Sequence, residues 1–250
     1  MPQRHRAPLI LRWRDQDNPL PQRVIRGTRR PGAPAWHELH SSAQDRPASD
    51  QPFDFSAAIQ RLVLDIATRS ADFRHLEVPR ILVSATQTRA RSRNGLQARV
   101  TPLRFARGAL TRQRRGVPYH IQRYFLGERE YLYVMTFCLP RYLDQDFEQK
   151  FVTLFHELYH ISPAFDGDLR RHEGRCQFHT PRQRDYDRRM VEYAREYLAG
   201  KPDPDLHRFL RLDFGQLQQH YGAVTSIVVP RPKMVPLVGP YAAAAKVTTP

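Results

Sequence analysis

One segment of the chain, from Phe147 to Ile161, restricts the fold more than any other. Its apolar residues recur every three or four positions, which places them on one face of an α-helix. They are Phe147, Phe151, Leu154, Phe155, Leu158 and Ile161. Asp144 and Asp146 precede the segment as candidate N-caps, and Pro163 ends it roughly five turns later. The pattern predicts a helix whose apolar face holds it against a sheet.

Two histidines, His156 and His160, lie four residues apart on this helix. The spacing puts both side chains on one face, about 6 Å apart along the axis, so both can bind one Zn²⁺. Glu157 follows the first histidine, within reach of a water molecule on the metal, and could act as its general base. The His-Glu-x-x-His pattern predicts a zinc-dependent metallopeptidase. The alternative is a pair of core or surface histidines that hold no metal.

A catalytic zinc ion needs a third protein ligand and must leave one position open for water. The downstream segment offers Asp166, Asp168, His172, Glu173 and His179. Spacing alone does not choose among them. Asp166 lies where the metzincin pattern has its last histidine, but Pro163 replaces the glycine of that pattern. His172 is a nitrogen donor, and Gly167 could let the chain turn back toward the metal.

Helical and strand periodicities alternate along the rest of the chain. Residues 55–67 and 182–199 carry apolar side chains at helical spacing and predict two further helices. Short apolar or alternating runs predict strands at residues 80–86, 96–105, 119–126 and 131–138. The last two runs flank a short turn that contains a glycine and are typical of a β-hairpin. The order of elements predicts an α+β fold with a small mixed or antiparallel sheet.

The 21 prolines concentrate at the two ends, with eight in the first 52 residues and five after residue 222. Both ends also lack the periodic apolar residues that would offset the entropy of ordering the chain. We therefore expect one folded domain over residues 53–222. A disordered, basic, proline-rich arm over residues 1–52 and a disordered, proline-rich tail over residues 223–250 would flank it.

The formal net charge of +15 is unevenly distributed. Between Glu77 and Glu128 there are eleven arginines and no acidic residue. Such a block is expected where a protein contacts a polyanion, because arginine neutralises phosphate and releases counterions. The candidate nucleic-acid contacts are Arg89, Arg91, Arg93, Arg112, Arg114 and Arg115. The alternative is a solvated basic face in an arginine-rich proteome, since the chain has 36 arginines and 4 lysines.

The sequence favours a cytoplasmic protein with no membrane partner. No apolar run reaches the roughly 18 residues that a membrane-spanning helix requires, and the apolar stretch Ala7 to Leu11 is short for a signal peptide. The two cysteines, Cys138 and Cys176, lie in different settings, an apolar strand and a polar loop. A disulfide framework is therefore not expected, in agreement with a reducing compartment. The oligomeric state has no sequence signal.

At the histidine motif the chain resembles a family of metallopeptidases from archaea, bacteria and phages. The motif of that family is HELxHI, a few residues, and then FxGxLRxH. The present sequence reads HELYHI, SPA and FDGDLRRH, so the match is continuous from His156 to His172. A weaker similarity extends over residues 80–180. The resemblance implies that His172 is the third zinc ligand, because the motif has a histidine at that position.

The resemblance also implies a zincin-like fold, similar to SprT-like proteases, in which a helix and a sheet support the metal helix. In such folds the strand before the metal helix often pairs with an extended substrate, here expected within residues 119–137. The leading hypothesis is a zinc metallopeptidase that acts on protein or peptide substrates, including proteins associated with nucleic acid. The rival is a nucleic-acid-binding protein with a structural or vestigial zinc site. The intact Glu157 argues against the rival, because a structural site needs no base.

Overall fold

The computed structural model of the chain describes residues 10–13, 20–26, 51–88, 95–171 and 183–238. The helices in these residues are α1 (Phe55–Arg69), α2 (Phe147–Tyr159), α3 (Gln183–Ala199) and α4 (Phe214–Tyr221). The strands are β1 (Ile10–Trp13), β2 (Gln22–Ile25), β3 (Phe53–Asp54), β4 (Ile81–Gln87), β5 (Ala98–Pro102), β6 (Thr111–Arg114), β7 (Val117–Ile121), β8 (Arg123–Leu126), β9 (Arg129–Tyr131), β10 (Tyr133–Leu139), β11 (Val224–Ile227) and β12 (Met234–Pro236). They form four sheets of three strands each, in the orders β1-β8-β9, β4-β10-β5, β2-β11-β3 and β12-β7-β6.

The central sheet has β10 in the middle, parallel to β4 on one side and antiparallel to β5 on the other. The β10 sequence, YVMTFCL, is apolar almost throughout, as expected for a strand buried on both faces. Tyr133, Met135 and Phe137 belong to the main core, together with the apolar faces of α1 and α2. The intervening Val134 belongs to a smaller core on the other face of the sheet, with Tyr124 among its members. The central sheet thus supports the metal-motif helix on one face and the peripheral strands on the other.

The α+β composition and three of the helices agree with the sequence analysis. α1, α2 and α3 correspond to the helices predicted at residues 55–67, 147–161 and 182–199. β4 and β5 correspond to the predicted strands at 80–86 and 96–105. The sequence analysis missed α4, an eight-residue helix that Asp213 and Gln216 begin with a reciprocal capping box.

The predicted hairpin over residues 119–138 is correct at its turn and wrong in its pairing. The turn joins β8 to β9, which pair with each other. β10 does not continue this hairpin, and it joins the central sheet instead. The transfer occurs at Leu132, whose N–H donates to the Arg80 carbonyl while its own carbonyl accepts from the Leu103 N–H. These partners are distant in sequence, so no local pattern indicates the transfer.

The prediction of disordered ends is wrong for those parts of the ends that the structure describes. β1 pairs with β8, β2 pairs with β11, and β12 pairs with β7. Ile25 and Val224 are completely buried. Each of these strands is only three or four residues long, too short for periodicity to show, and each is stabilised by a surface that distant parts of the chain provide. Residues 1–9, 14–19, 27–50 and 239–250 lie outside the described residues.

Two smaller expectations concern the membrane and the cysteines. The described helices include none with the length and hydropathy that crossing a membrane requires. Cys138 is a buried free thiol on β10. Cys176 lies outside the described residues.

Candidate metal centre

The end of α2 brings the two motif histidines together. His156 lies in the last turn, and His160 follows as the C-cap with helical backbone angles. Their Nε2 atoms are 2.9 Å apart, and the two rings are nearly perpendicular, at 83°. Two nitrogen ligands of one tetrahedral zinc ion would lie about 3.3 Å apart. The imidazoles therefore converge to within a few tenths of an ångström of the separation that a shared zinc ion requires.

The carboxylate of Glu157 is buried between α2 and the edge of the central sheet. The side chain is 7% exposed, and its Oε2 atom accepts a hydrogen bond of 2.7 Å from the Val100 N–H on β5. Burial raises the pKa of Glu157 to about 7, although the Val100 hydrogen bond opposes this shift. Within the described part of the chain, no arginine or lysine forms an ion pair with it. Such a carboxylate exchanges protons near neutral pH, as a general base must.

The register of β5 explains why Val100 reaches Glu157. The backbone groups of Gln97 and Leu103 point toward β10 and the residue before it. The Gln97 carbonyl accepts a hydrogen bond from the Cys138 N–H, and the Leu103 N–H donates to the Leu132 carbonyl. Backbone groups alternate in direction along a strand, so the N–H and carbonyl of Val100 point away from β10. β5 is therefore an edge strand whose outer backbone faces the motif helix. β10, the strand that precedes the motif helix, occupies the centre of this sheet, so the expected substrate-pairing edge within residues 119–137 is not on β10.

After α2 the chain makes a compact loop that returns to the metal-motif helix. Gly167 has a φ of 87°, in the left-handed region that favours glycine, and its N–H donates to the Tyr133 hydroxyl at 2.9 Å. The Tyr133 hydroxyl in turn donates to the Asp168 carbonyl at 2.8 Å. The Arg170 N–H then donates to the His160 carbonyl at 2.7 Å. The reversal that the sequence analysis attributed to Gly167 is thus present, and it carries residue 170 back to the second histidine.

Neither of the loop carboxylates joins the histidine pair. Asp166 accepts a hydrogen bond from the Asp168 N–H, and Asp168 forms an ion pair with Arg171 at 2.8 Å and accepts from the Arg107 N–H at 3.0 Å. In the described ranges, no group of three or more His, Cys, Asp or Glu side chains is arranged to hold a metal ion. The remaining candidates, His172, Glu173 and His179, lie outside those ranges.

The sequence analysis overlooked Tyr186 on α3. Its ring lies 5.0 Å from the His156 ring and 6.1 Å from the His160 ring, measured between centroids. Its hydroxyl lies 3.5 Å from the His156 carbonyl, and burial raises its pKa above the ordinary range of tyrosine. The helical spacing of Tyr186 with Met190 could have placed it on the buried face of α3, but only the packing of α3 against α2 shows that it touches both histidines.

The neighbouring arginines have structural contacts. Arg170 lies with its guanidinium 4.1 Å over the Tyr159 ring and donates to the Tyr159 carbonyl, while Arg171 pairs with Asp168. Tyr159 is a packing residue, with a side chain that contacts the aromatic rings of Tyr186 and Tyr193 on α3. The predicted polyanion contacts that the structure describes do not enter this centre. Arg112, Arg114 and Arg115 are exposed on the β6–β7 hairpin, and Arg89, Arg91 and Arg93 lie outside the described residues.

No family model, no curated protein and no solved structure matches this chain. Conclusions about its function therefore depend on the residues of the site and on their geometry.

Proposed function

We propose that the protein is a zinc-dependent metallopeptidase of zincin-like architecture, with His156 and His160 as zinc ligands and Glu157 as the general base. The main support for this proposal is that two imidazole nitrogens converge beside a buried carboxylate that forms no ion pair with a described arginine or lysine. A structural metal site has no use for such a carboxylate, and a purely structural carboxylate would be matched with a cation or left in water.

His172 is the third ligand in this proposal. The Arg170 N–H is bonded to the His160 carbonyl. The described chain runs to Arg171, the residue before His172, and its last turn returns to the backbone of the second histidine. The loop carboxylates Asp166 and Asp168 are engaged with other groups. Three histidines would leave one tetrahedral position for water or substrate.

Each residue of the centre has a defined task in peptide hydrolysis. Zinc, when bound, supplies a Lewis acid that lowers the pKa of water and polarises a carbonyl group. Glu157 removes a proton from the attacking water and delivers it to the departing amine nitrogen. The Val100 N–H fixes the orientation of the Glu157 carboxylate. Burial keeps the pKa of this carboxyl group near 7, so that it can accept and release a proton at neutral pH.

The edge of β5 is the proposed binding position for the substrate backbone. Its outward-facing backbone groups lie beside Glu157, and β10 occupies its other side. An extended peptide could pair with this edge as an additional strand, with its scissile bond next to the motif helix. The substrate would then be recognised largely through its main chain.

Metal content of the purified protein tests the centre directly. Elemental mass spectrometry of the wild type should give about one zinc per chain, as expected for a catalytic site with three protein ligands. His156→Ala and His172→Ala should lose zinc or hold it much more weakly. His220→Ala, on α4 and away from the centre, serves as the matched control and should keep the metal. A wild-type protein that binds no zinc after reconstitution would disprove the proposal.

Glu157→Gln separates this function from that of a nucleic-acid-binding protein with a structural zinc site. The hydrolytic role predicts that the variant keeps its zinc and loses peptide cleavage. The structural role predicts that every property of the protein survives the substitution.

A further inference from the structure

The pairing of β7 with β12 joins two acid-free parts of the chain that are far apart in sequence. One part extends from residue 78 to residue 127 and contains β6 and β7. The other begins after Asp213 and contains β12, with Arg231 and Lys233 exposed just before the strand. Their association forms a three-stranded sheet in the order β12-β7-β6, here named the basic sheet. No carboxylate of either part can neutralise its arginines.

The two faces of the basic sheet differ in burial along β7 and β12, although Ile121 at the end of β7 is half-buried against the smaller core. His120 on β7 and its partner Val235 on β12 are buried. Side chains alternate between the two faces, so the neighbouring Tyr119 points to the outer face with its partner Pro236. Arg112 pairs with Tyr119 on the other side of β7. The outer face therefore presents an aromatic ring between a proline and an arginine.

Two further arginines extend this face toward the end of the β6–β7 hairpin. Arg114 lies on the same face as Arg112, two residues along β6, and both are exposed. Arg115 occupies the turn with a φ of 50°, followed by Gly116 with a φ of 76°. A turn with two positive φ values favours Asn or Gly at its first central position, so arginine is a strained choice there. In the described part of the chain none of these three arginines forms an ion pair.

We infer that the outer face of the basic sheet binds single-stranded nucleic acid, with the arginines on the phosphates and Tyr119 stacked on a base. Exposed arginines without counter-charges complement a phosphate backbone. An aromatic ring on a sheet beside basic side chains is an arrangement used to bind single strands. The major groove of a DNA duplex is about 12 Å wide and admits a two-stranded ribbon. The basic sheet has three strands, which favours a platform for unpaired bases over insertion into a groove.

This inference does not depend on the proposed function. The basic sheet shares no residue with the metal centre, and its binding can be measured without peptide hydrolysis. Failure of either idea leaves the other intact. If both hold, the protein brings a hydrolytic centre to substrates on nucleic acid.

The test measures binding of the full chain to a fluorescent oligo(dT) of about 15 nucleotides by anisotropy over a range of salt concentrations. The double variant Arg112→Ala/Arg114→Ala should bind at least about tenfold more weakly at low salt. Its logarithmic salt dependence should be less steep by about 1.4, since each arginine–phosphate contact on a single strand contributes about 0.7. The matched control Arg61→Ala/Arg74→Ala removes two exposed arginines outside the basic sheet and should behave as the wild type.

Tyr119 provides a second, charge-independent measurement. Tyr119→Leu should weaken binding by about tenfold without changing the salt dependence, because it removes stacking only. Tyr119→Phe should retain the affinity. The inference is overturned if the wild type does not bind the oligonucleotide, if the control double variant loses as much affinity as the test variant, or if a duplex of equal length binds more tightly. Displacement by polyglutamate as effective as by unlabelled oligo(dT) would also overturn it, since the face would then recognise negative charge alone.

Discussion

Two glutamates in this protein have opposite surroundings. Glu157 in the candidate metal centre accepts a backbone N–H on its carboxylate, and burial raises its pKa to about 7. Glu130 on β9 is half-buried, and its carboxylate contacts Arg123 at 2.6 and 2.8 Å and Arg104 at 2.6 Å. Burial alone would raise the pKa of Glu130, and the two guanidinium groups outweigh it, so its pKa is lowered.

The contrast separates a carboxylate that holds the fold together from one that is available for chemistry. Glu130 remains charged at all physiological pH values and connects β8 and β9 to the segment after β5. Glu157 has the environment of a catalytic acid–base group, in which the charged form is disfavoured and the pKa approaches the working pH. Replacing each glutamate by glutamine should therefore affect different properties of the protein.

The largest effect is expected from Glu157→Gln on peptide cleavage. The variant loses the proton acceptor, so kcat/KM should fall by about 10²–10⁴-fold. Its unfolding free energy should stay within about 1 kcal/mol of the wild type or rise, because a buried amide is easier to desolvate than a carboxylate. Cleavage assays and urea denaturation measure the two quantities. A large loss of stability would show that Glu157 supports the fold, contrary to the comparison.

Glu130→Gln is the same substitution in the other region and should give the reverse result. It leaves Arg104 and Arg123, with side chains only 9% and 10% exposed, without a counter-charge. Breaking a buried pair in this way costs about 3–5 kcal/mol of unfolding free energy. Cleavage per folded molecule should change little. Adding Arg104→Met should recover part of the stability by removing one of the two like charges, and a loss below about 1 kcal/mol would contradict this account.

The pH dependence of the unfolding free energy tests the surroundings of Glu130 in a second way. Burial, together with smaller effects of Arg123 and Arg104, lowers the pKa of His120 to about 4. Between pH 6.5 and 4 the unfolded chain binds a proton that the folded chain excludes, so stability falls as the pH falls. The shift corresponds to about 3 kcal/mol. His120→Gln should flatten this part of the curve in urea denaturation.

The sequence predicted α2 because its signals are local. Apolar spacing places α2, the motif places its histidines and base on it, and the proline after His160 limits its length. The partner of Glu157 had no such signal, because Val100 lies 57 residues away and contributes only its backbone N–H. Tyr186 likewise becomes part of the centre only through the packing of α3 on α2.

The pairing of the strands was harder to predict from the sequence for the same reason. The near-continuous apolar run of β10 indicated a buried strand, but the choice between a hairpin with β8 and a place between β4 and β5 depends on long-range pairing. The terminal strands are shorter still. β12 has three residues, one of them a proline, and it forms on an edge of β7 that no local pattern reveals.

The smallest expected effect concerns the Val100 N–H, the only contact in the described residues that orients the Glu157 carboxylate by a hydrogen bond. Val100→Pro removes this donor and keeps the β5–β10 ladder, because the N–H of Val100 points away from β10. Cleavage should fall by about tenfold, equivalent to about 1.4 kcal/mol, with a comparable or smaller change in stability. Thr101→Pro is the control, since its N–H faces β10 and its loss should destabilise the sheet.

Whether Val100→Pro lowers kcat or raises KM distinguishes two roles for this N–H. If the N–H orients Glu157, the reduction should appear in kcat, because proton transfer takes place from the bound state. If it instead binds the main chain of an incoming peptide on the β5 edge, KM should rise while kcat is preserved. Unchanged kinetics in a folded Val100→Pro variant would mean that burial alone sets the pKa of Glu157 for its role. The difference between Glu157 and Glu130 would then depend only on ion pairing.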